Sequence, residues 1–410
     1  MDPDNFDNNA RDYWTACLRT RLVSTDGVTA FSSMEVINRT HTMLLADFKA
    51  VQHLATLTMA RISGLAITAR LPVEVLLHIF TILTECNPPS LQPRRSRKAC
   101  KKFEVLGWIN VTHVCQRWRQ VALSAPGLWT NVGVPQAGIW MDEMLARSKQ
   151  VPFTLSACIP NDPCVRSVVL RAIDAKYVSR MKHLHLSGTE HTDGRPHTAT
   201  TSEVLAGLTH PAPMLESLIL DDVTGSTVLR PDIFARHLPR LRCFAISRCE
   251  GLHWDAPYLR NLTDLELGFD KNFKTAELLT LLRVSPLLEN LRITRRGPSD
   301  QRTALPDEKV SLPSLKRFFL DCRADAQCAD LLERLVIPPT ARRKFIFFHP
   351  VPAHSQRLIA LATEFTDAAG SLHQHAPAQV QTQFDKGPHY SELKLNLFFH
   401  LDQAPRVALT

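Results

Sequence analysis

The sequence lacks the patterns that define several large classes of protein. None of its apolar runs approaches the roughly 20 residues that a membrane-spanning helix needs, because charged residues interrupt them every few positions. The first residues, "MDPDNFDNNARDYW", are acidic and polar, so they contain no secretory signal sequence. These absences predict a soluble intracellular protein, cytoplasmic, nuclear or both, without a membrane partner.

The ten cysteines include no CxxC pair. A spacing of six residues recurs but matches no zinc-site pattern, as in Cys158/Cys164, Cys243/Cys249 and Cys322/Cys328. In a reducing compartment, isolated cysteines pack as small hydrophobic residues. The sequence therefore predicts reduced cysteines that serve the core.

The motifs of common catalytic sites are missing as well. There is no GxSxG nucleophile elbow, no Walker loop, no GxGxxG and no HExxH. His183 and His185 would share one face of a strand, with His191 nearby, but no carboxylate or cysteine at short range completes a metal site. We therefore expect a non-catalytic chain without a metal or cofactor.

The composition is that of a folded protein, with 44% hydrophobic and 21% charged residues. Much of the net charge of +8 comes from the run "RRSRKACKK" at 94–102. Such a run could bind nucleic acid or an acidic partner. Because no aromatic side chains are interleaved for base stacking, a solvated loop is the preferred interpretation and nucleic acid is the alternative.

Apolar periodicity divides the first part of the chain. Residues 1–31 show no period and predict a disordered tail. Residues 32–69 predict a long amphipathic helix that starts at a capping box formed by Ser32 and Glu35. Its apolar side chains recur at heptad spacing, at Met34, Ile37, Leu44, Phe48, Val51, Ala55, Ile62 and Leu65. We expect this stripe to pack against the chain's own domain, with a coiled coil between two copies as the alternative.

Two further helical segments lie within 70–133, on either side of a basic insertion at 88–103. Pro72 suits the first turn of the first helix. The second helix is predicted to start near Leu106 and to end at Pro126. Each tryptophan or phenylalanine of this region has about 150–250 Å² of surface to bury, more than two short helices can hide against each other. The apolar surplus must therefore contact another part of the chain or a separate protein.

This region resembles the F-box motif. The family pattern runs from Leu-Pro through an apolar helix ending in Ile-Phe to Val-Cys-x-x-Trp-Arg, and it closes with Pro-x-Leu-Trp. The matching residues are Leu71, Pro72, Val75, Leu76, Ile79, Phe80, Val114, Cys115, Trp118, Arg119, Pro126, Leu128 and Trp129. The basic insertion is longer than the usual F-box connection, and a long helix before Leu-Pro is typical of fungal members.

The resemblance implies that the apolar surplus docks on the Skp adaptor and, through it, on the cullin of a ubiquitin ligase. The residues that would line or support this surface are Leu71, Pro72, Leu76, Ile79, Phe80, Val114, Cys115 and Trp118. Trp129 would anchor the motif to the following domain, whereas Trp108 matches no diagnostic position.

Residues 134–410 contain a repeat. The pattern apolar-x-x-apolar-x-apolar recurs in "MKHLHLSG", "LESLILDD", "LRCFAISRC", "LTDLELGF", "LENLRITR" and "LKRFFLDC". Successive intervals are 34, 26, 21, 26 and 27 residues, and a period in the twenties is typical of leucine-rich repeats. The intervals predict a helix before each strand, as in "TAELLTLLR", "DAQCADLLER" and "STVLRPDIFARHL". The repeat predicts a solenoid with a curved parallel sheet that begins with a strand at 151–159.

Side chains alternate between the two faces of each predicted strand. If the pattern leucines point inward, the residues between them form a face that we expect to bind a target protein, with a solvated face without a partner as the alternative. The candidate target-binding residues are His183, His185, Asp264, Glu266, Arg292, Arg317, Phe319 and Asp321.

These features predict an α+β multi-domain chain, in which a long helix and a small all-α F-box motif precede an α/β leucine-rich-repeat solenoid. The corresponding function is the substrate-recognition subunit of an SCF-type ubiquitin ligase, with a target protein that the sequence does not identify. One alternative is an F-box scaffold or assembly protein that acts outside ubiquitin ligases. The other is nucleic-acid binding through 94–102.

Overall fold

The computed structural model describes residues 3–93, 102–134, 138–159, 163–188, 203–221, 227–250, 252–269, 275–295, 308–323, 326–348, 357, 360–361, 379–387 and 390–398. The chain divides into two compact units. The first comprises Met1–Leu76 and Val111–Gln120, and the second comprises Leu77–Asn110 and Val121–Thr410. No helix within these described ranges is both long and apolar enough to cross a membrane.

The first unit is helical. Its long helices are α1 (Pro3–Leu22) and α2 (Met34–Leu65), and a short 3₁₀ turn (Ile67–Arg70) follows them. Helices α3 (Val73–Cys86) and α4 (Gln116–Ser124) begin in this unit and continue into the second. A further 3₁₀ segment, Gly107–His113, precedes α4, where the sequence had predicted one continuous helix from about residue 106.

Helix α1 corrects the prediction of a disordered tail at 1–31. Its described side chains are exposed except that of Leu22. The prediction of no period at 1–31 is also wrong, because apolar residues recur at the spacing of one helix face, at Phe6, Ala10, Tyr13, Trp14, Cys17 and Leu18. Arg21 pairs with Asp47 of α2 at 3.0 Å between Nε and Oδ1.

Helix α2 confirms a long helix but corrects both its start and its packing. The N-cap is Ser33, whose side chain accepts a hydrogen bond from the Val36 N–H, whereas the Ser32 hydroxyl accepts from the Thr29 N–H. No residue of α2 is buried. Phe48, in the middle of the heptad stripe, is 59% exposed. The described part of the chain therefore does not cover the stripe, contrary to the prediction that it packs on its own domain.

The second unit opens with an antiparallel pair, β1 (Ser90–Pro93) and β2 (Lys102–Val105). Its main sheet contains, within the described residues, eleven strands. In chain order they are β3 (Asn131–Val134), β4 (Phe153–Ile159), β5 (Met181–Gly188), β6 (Ser217–Asp221), β8 (Cys243–Ser247), β10 (Asp264–Phe269), β11 (Asn290–Arg295), β13 (Arg317–Arg323), β15 (Arg342–Phe348), β16 (Gln379–Gly387) and β17 (Tyr390–Phe398). The short strands between them, β7 (Thr227–Val228), β9 (Cys249–Glu250), β12 (Val310–Ser311) and β14 (Leu335–Val336), form two separate parallel pairs.

The main sheet is open, and from β3 to β15 every neighbouring pair is parallel. It begins at β3 and not at 151–159, so the predicted first strand is the second. At the other edge, β17 and β16 add antiparallel to β15. The predicted parallel sheet is thus confirmed.

Helices and 3₁₀ turns connect the parallel strands. The helices are α5 (Gly138–Arg147), α6 (Pro163–Ala172), α7 (Ala175–Val178), α8 (Thr275–Arg283) and α9 (Ala326–Arg334). Among their described residues, the connections before β8 and β10 contain 3₁₀ turns, at Ile233–Arg236 and Pro257–Leu259, but no α-helix. The prediction of a helix before β8 is therefore wrong, and the backbone of Phe234 and Ala235 is left-handed there, with φ near 50°.

The core of the sheet follows the predicted pattern residues. Leu184, Leu218, Phe244, Leu265, Leu291 and Phe318 lie opposite one another in register on consecutive strands, and all are buried. The residues between them in each strand are less buried, as the alternation predicts.

One cysteine pair departs from the prediction of reduced core cysteines. Cys322 of β13 and Cys328 of α9 are joined by a disulfide, and both are buried. The six-residue spacing places one cysteine at the end of a strand and the other in the first turns of the following helix. Cys17, Cys86, Cys115 and Cys243 are free thiols.

Candidate functional site

The start of α3 forms one wall of the candidate docking site in the first unit. The Pro72 carbonyl accepts a hydrogen bond from the Leu76 N–H at 3.2 Å, so proline occupies the entry to the helix. Pro72 is exposed, Leu71 is half-buried and Leu76 is fully buried. Leu76 therefore packs in the core beneath the start of α3, whereas the exposed Pro72 is available to a partner.

Arg117 of α4 fixes the chain just before α3. Its Nη1 donates a hydrogen bond to the Ala69 carbonyl at 2.7 Å, and its Nη2 donates to the Leu71 carbonyl. Such charge-assisted bonds are stronger than bonds between neutral groups. The F-box pattern leaves this position open, so the sequence analysis missed Arg117, which holds α4 and the Leu71 segment together.

Exposed valines give the first unit an apolar surface. Val73 and Val75 of α3 are 43% and 42% exposed, and Val114, just before α4, is 58% exposed. Cys115 and Trp118 are half-buried. We call Val75 and Val114 the valine surface, and Val73 lies on another side of α3, because residues two apart on a helix do not face each other. Of these two valines, only Val114 was a predicted docking residue, and Val75 was only a motif match.

A pocket of 270 Å³ lies in the same unit. Its lining comes from the end of α2, the following 3₁₀ turn and α4, and comprises Ala60, Ser63, Gly64, Thr68, Ala69, Cys115, Gln116, Arg117, Trp118 and Gln120. Small-molecule sites typically measure about 300–1,000 Å³. The volume lies near the lower end of that range, and small residues of α2 form one wall.

Replacing Arg117 by methionine should lower the free energy of unfolding by about 1–3 kcal/mol, because two carbonyl acceptors lose a charged donor while the apolar stem is kept. Urea denaturation followed by far-UV circular dichroism measures this loss. Arg119→Met is the matched control, since Arg119 is exposed and its side chain makes no hydrogen bond to the described residues. Equal effects of the two substitutions would contradict the role of Arg117.

The remaining predicted docking residues lie on the part of α3 that belongs to the second unit. Ile79 is half-buried and Phe80 is fully buried. Ile82, which the sequence analysis did not select, is 48% exposed. The helix thus combines core and exposed apolar positions along its whole length.

A pair of buried tryptophans explains two members of the tryptophan-rich segment. The rings of Trp108 and Trp129 meet edge to face, with centroids 4.8 Å apart. The Trp129 Nε1 donates to the Ala122 carbonyl at 2.9 Å, and the Arg147 guanidinium lies 4.5 Å above the Trp129 ring. Trp129 thereby joins α4 to α5, which supports its predicted anchoring role. Trp108, which the sequence left without a role, packs against the Trp129 ring.

The predicted target-binding residues all lie on strands of the main sheet, at positions that alternate with buried residues. Register aligns them in rows across the strands. One row runs through His183, Ser217, Cys243, Asp264, Asn290, Arg317 and Arg342, and the next runs through His185, Ile219, Ala245, Glu266, Arg292, Phe319 and Lys344. We call the side of the sheet that carries these rows the polar face.

Polar contacts link neighbouring strands of this face. Glu266 pairs with Arg292 at 3.1 Å, and the Arg292 guanidinium stacks at 4.3 Å over the ring of Phe319, which is half-buried and not fully exposed as predicted. At the other end of the rows, burial lowers the pKa of His183, assisted by the charge of Lys182. Asp321 lies one row further on, opposite Thr294 and Ile346.

Two candidate binding features of the sequence lie outside the residues that the structure describes. The basic run at 94–102 lies there except for Lys102, and so does His191.

The comparisons with known proteins bear on the helical region alone. No curated protein matches the chain significantly. The family of F-box-like domains matches residues 68–134, which include α3, α4, the tryptophan pair and β3. The chain therefore contains an F-box-like domain.

Proposed function

We propose that this chain is the substrate-recognition subunit of an SCF-type cullin–RING ubiquitin ligase. The F-box-like domain binds the Skp adaptor and through it the cullin, and the sheet binds a target protein. The observation that carries the proposal is the valine surface on the F-box-like domain, since F-box domains generally bind adaptors of this kind. The chain itself forms and breaks no bonds.

The hydrophobic effect favours a partner that covers the valine surface. Burying a valine side chain contributes about 1.5–3 kcal/mol. Exposed apolar side chains that cluster in one small region mark interaction sites in soluble proteins. Pro72 is exposed in the same unit, which also contains the 270 Å³ pocket with its mixed polar and apolar lining.

The sheet supports the second half of the proposal. We interpret it as a leucine-rich-repeat solenoid, because its parallel strands keep one register and bury the repeat leucines. A sheet face that keeps its polar side chains in rows offers an extended surface to a protein partner. Joining target and adaptor on one chain raises the effective concentration of the target at the transfer site.

The test is adaptor binding by the purified chain, measured by calorimetry. The double substitution Val75→Asp and Val114→Asp should weaken binding at least about 100-fold, because two buried apolar contacts are replaced by charges that must lose their water. Leu76 is unsuitable for this purpose, since a charge at a fully buried position reports on folding instead.

Val151→Asp with Val284→Asp is the matched control. These valines are 37% and 39% exposed and lie in turns outside the F-box-like domain. The docking surface would be refuted if the control variant lost as much adaptor affinity as the Val75→Asp, Val114→Asp variant. It would also be refuted if the latter variant kept its affinity for the adaptor. If the adaptor binds but cullin never co-purifies, the chain is an F-box scaffold outside ubiquitin ligases.

A further inference from the structure

The polar face changes sign along the order of the strands. Acidic residues occupy β6 and β10, and basic residues occupy β11, β13 and β15 in the two aligned rows, with Asp321 of β13 one row further on. The acidic residues are Asp221, Asp264 and Glu266, and the basic residues are Arg292, Arg317, Arg342 and Lys344. A ligand that lies across the strands would therefore meet opposite charges at its two ends.

The carboxylates on the acidic side are already engaged. Asp264 accepts hydrogen bonds from Asn290 and from the Thr263 hydroxyl. Asp221 accepts a bond from Ser247, and Glu266 pairs with Arg292 of the next strand. Their oxygens already accept bonds within the sheet, so this side offers few free acceptors to a new ligand, although Asp221 and Asp264 keep their negative charge because their partners are neutral.

On the basic side, three cations form no ion pair with a carboxylate of the described residues. Arg317, Arg342 and Lys344, which we call the basic cluster, have no carboxylate within ion-pair distance among the described residues. Arg317 lies directly opposite Arg342, and Lys344 is two residues further along β15. Neighbouring strands lie about 4.8 Å apart, and like charges placed directly opposite one another destabilise a sheet. An anion bound at the cluster would remove this repulsion.

The cluster is held in place by its neighbours. The Arg317 Nε donates to the Asn290 Oδ1, which leaves the two terminal nitrogens of the guanidinium for a ligand. The Lys344 ammonium lies 5.6 Å from the ring of Phe319, which Arg292 covers from the other side. Guanidinium groups bind carboxylates and phosphates through paired hydrogen bonds. The half-buried ring supplies an apolar floor beside the charges.

We propose that the basic cluster and Phe319 bind an acidic, extended segment of the target protein, through its carboxylate or phosphate groups. The inference rests on the proposed role of the sheet in target binding. A protein segment fits better than nucleic acid, because Glu266 and Asp264 lie close by on the same face and repel a continuous phosphate backbone. Phe319 is also the one aromatic side chain in the two aligned rows, and single-stranded nucleic acid needs several rings for stacking.

Fluorescence anisotropy with short labelled peptides tests the inference on the full chain. One peptide carries glutamate at alternate positions, a second carries phosphoserine at the same positions, and a third carries glutamine. We expect the glutamate or the phosphoserine peptide to bind and the glutamine peptide not to bind, and the first two identify the source of the anion. The substitutions Arg317→Ala, Arg342→Ala and Lys344→Ala together should weaken binding at least about tenfold.

The charge-matched control is Lys149→Ala, Lys176→Ala and Arg240→Ala, three exposed cations outside the polar face. Arg342→Gln alone, at an exposed position, should weaken binding about threefold and guards against misfolding of the triple variant. Equal losses in the control, no binding by either acidic peptide, or tighter binding of a single-stranded oligonucleotide that depends on the same residues would overturn the inference. Adaptor binding measured on the same preparations reports separately on the proposed ligase role.

Discussion

Trp129→Ala is expected to lower the free energy of unfolding by about 3–5 kcal/mol, the range measured when a large buried aromatic residue is truncated. Trp129 is fully buried, and the substitution removes its edge contact with Trp108 together with the cation–π contact of Arg147. The Ala122 carbonyl also loses its donor. Calorimetric unfolding of the full chain gives the change in stability.

Two controls separate these contributions. Trp129→Phe keeps an aromatic ring but cannot donate to Ala122, and we expect a smaller loss of about 1–2 kcal/mol. Trp14→Ala removes an indole that is 55% exposed on α1 and should change stability by less than about 0.5 kcal/mol. If Trp129→Ala is as mild as Trp14→Ala, Trp129 does not anchor the domain.

The sequence predicted the tryptophan-rich segment through a motif but not through its packing. The order of Leu71, Pro72, Val114 and Trp118 identified the F-box resemblance, because those positions occur at fixed places in the pattern. Trp108 has no place in that pattern. Its role depends on a ring distance of 4.8 Å to Trp129, and sequence spacing does not encode such a distance.

The sheet was predictable because its signal is local and repeated. Each strand carries the same alternation, and the parallel register aligns Leu265 with Leu291 and Leu291 with Phe318. The ends of the sheet were not predictable in the same way. Strand β3 has only four residues and lacks the repeat pattern, and β16 and β17 reverse direction at the other edge.

The long helix shows why amphipathicity does not identify a partner. The heptad stripe correctly predicted α2, but the same stripe is compatible with packing on the chain, pairing with a second copy or exposure. In the structure, Phe48 and Ile62 are 59% and 57% exposed. The choice among these outcomes depends on surfaces far away in the sequence.

The polar face was located from the sequence, but the distribution of its charges was not. Alternation assigned Glu266, Arg292 and Phe319 to one side of their strands. Only the register brings the three side chains together across neighbouring strands and leaves Arg342 beside Arg317. Arg342 and Lys344 were not predicted to bind a target, because their strand is not among the six segments that carry the repeat pattern.

Arg180→Ala should cost about 3–4 kcal/mol of stability, an effect close to that of Trp129→Ala. Arg180 is buried and donates hydrogen bonds to the Leu145 carbonyl, the Ser148 hydroxyl and the Val151 carbonyl. Burial lowers its pKa, and its guanidinium lies 4.7 Å from the Phe153 ring. The side chain thus closes the turn between α5 and β4, where the helix ends and leaves carbonyls without partners.

Arg180→Met tests whether the loss comes from hydrogen bonds or from packing. Methionine fills much of the same space but donates no bond, so we expect a loss nearly as large as that of the alanine variant. Arg171→Ala is the control, because Arg171 pairs with Asp142 at the surface and such pairs contribute about 0–1 kcal/mol. A methionine variant as stable as the natural chain would show that the three acceptors are satisfied without Arg180, and the turn would then depend on packing around Phe153.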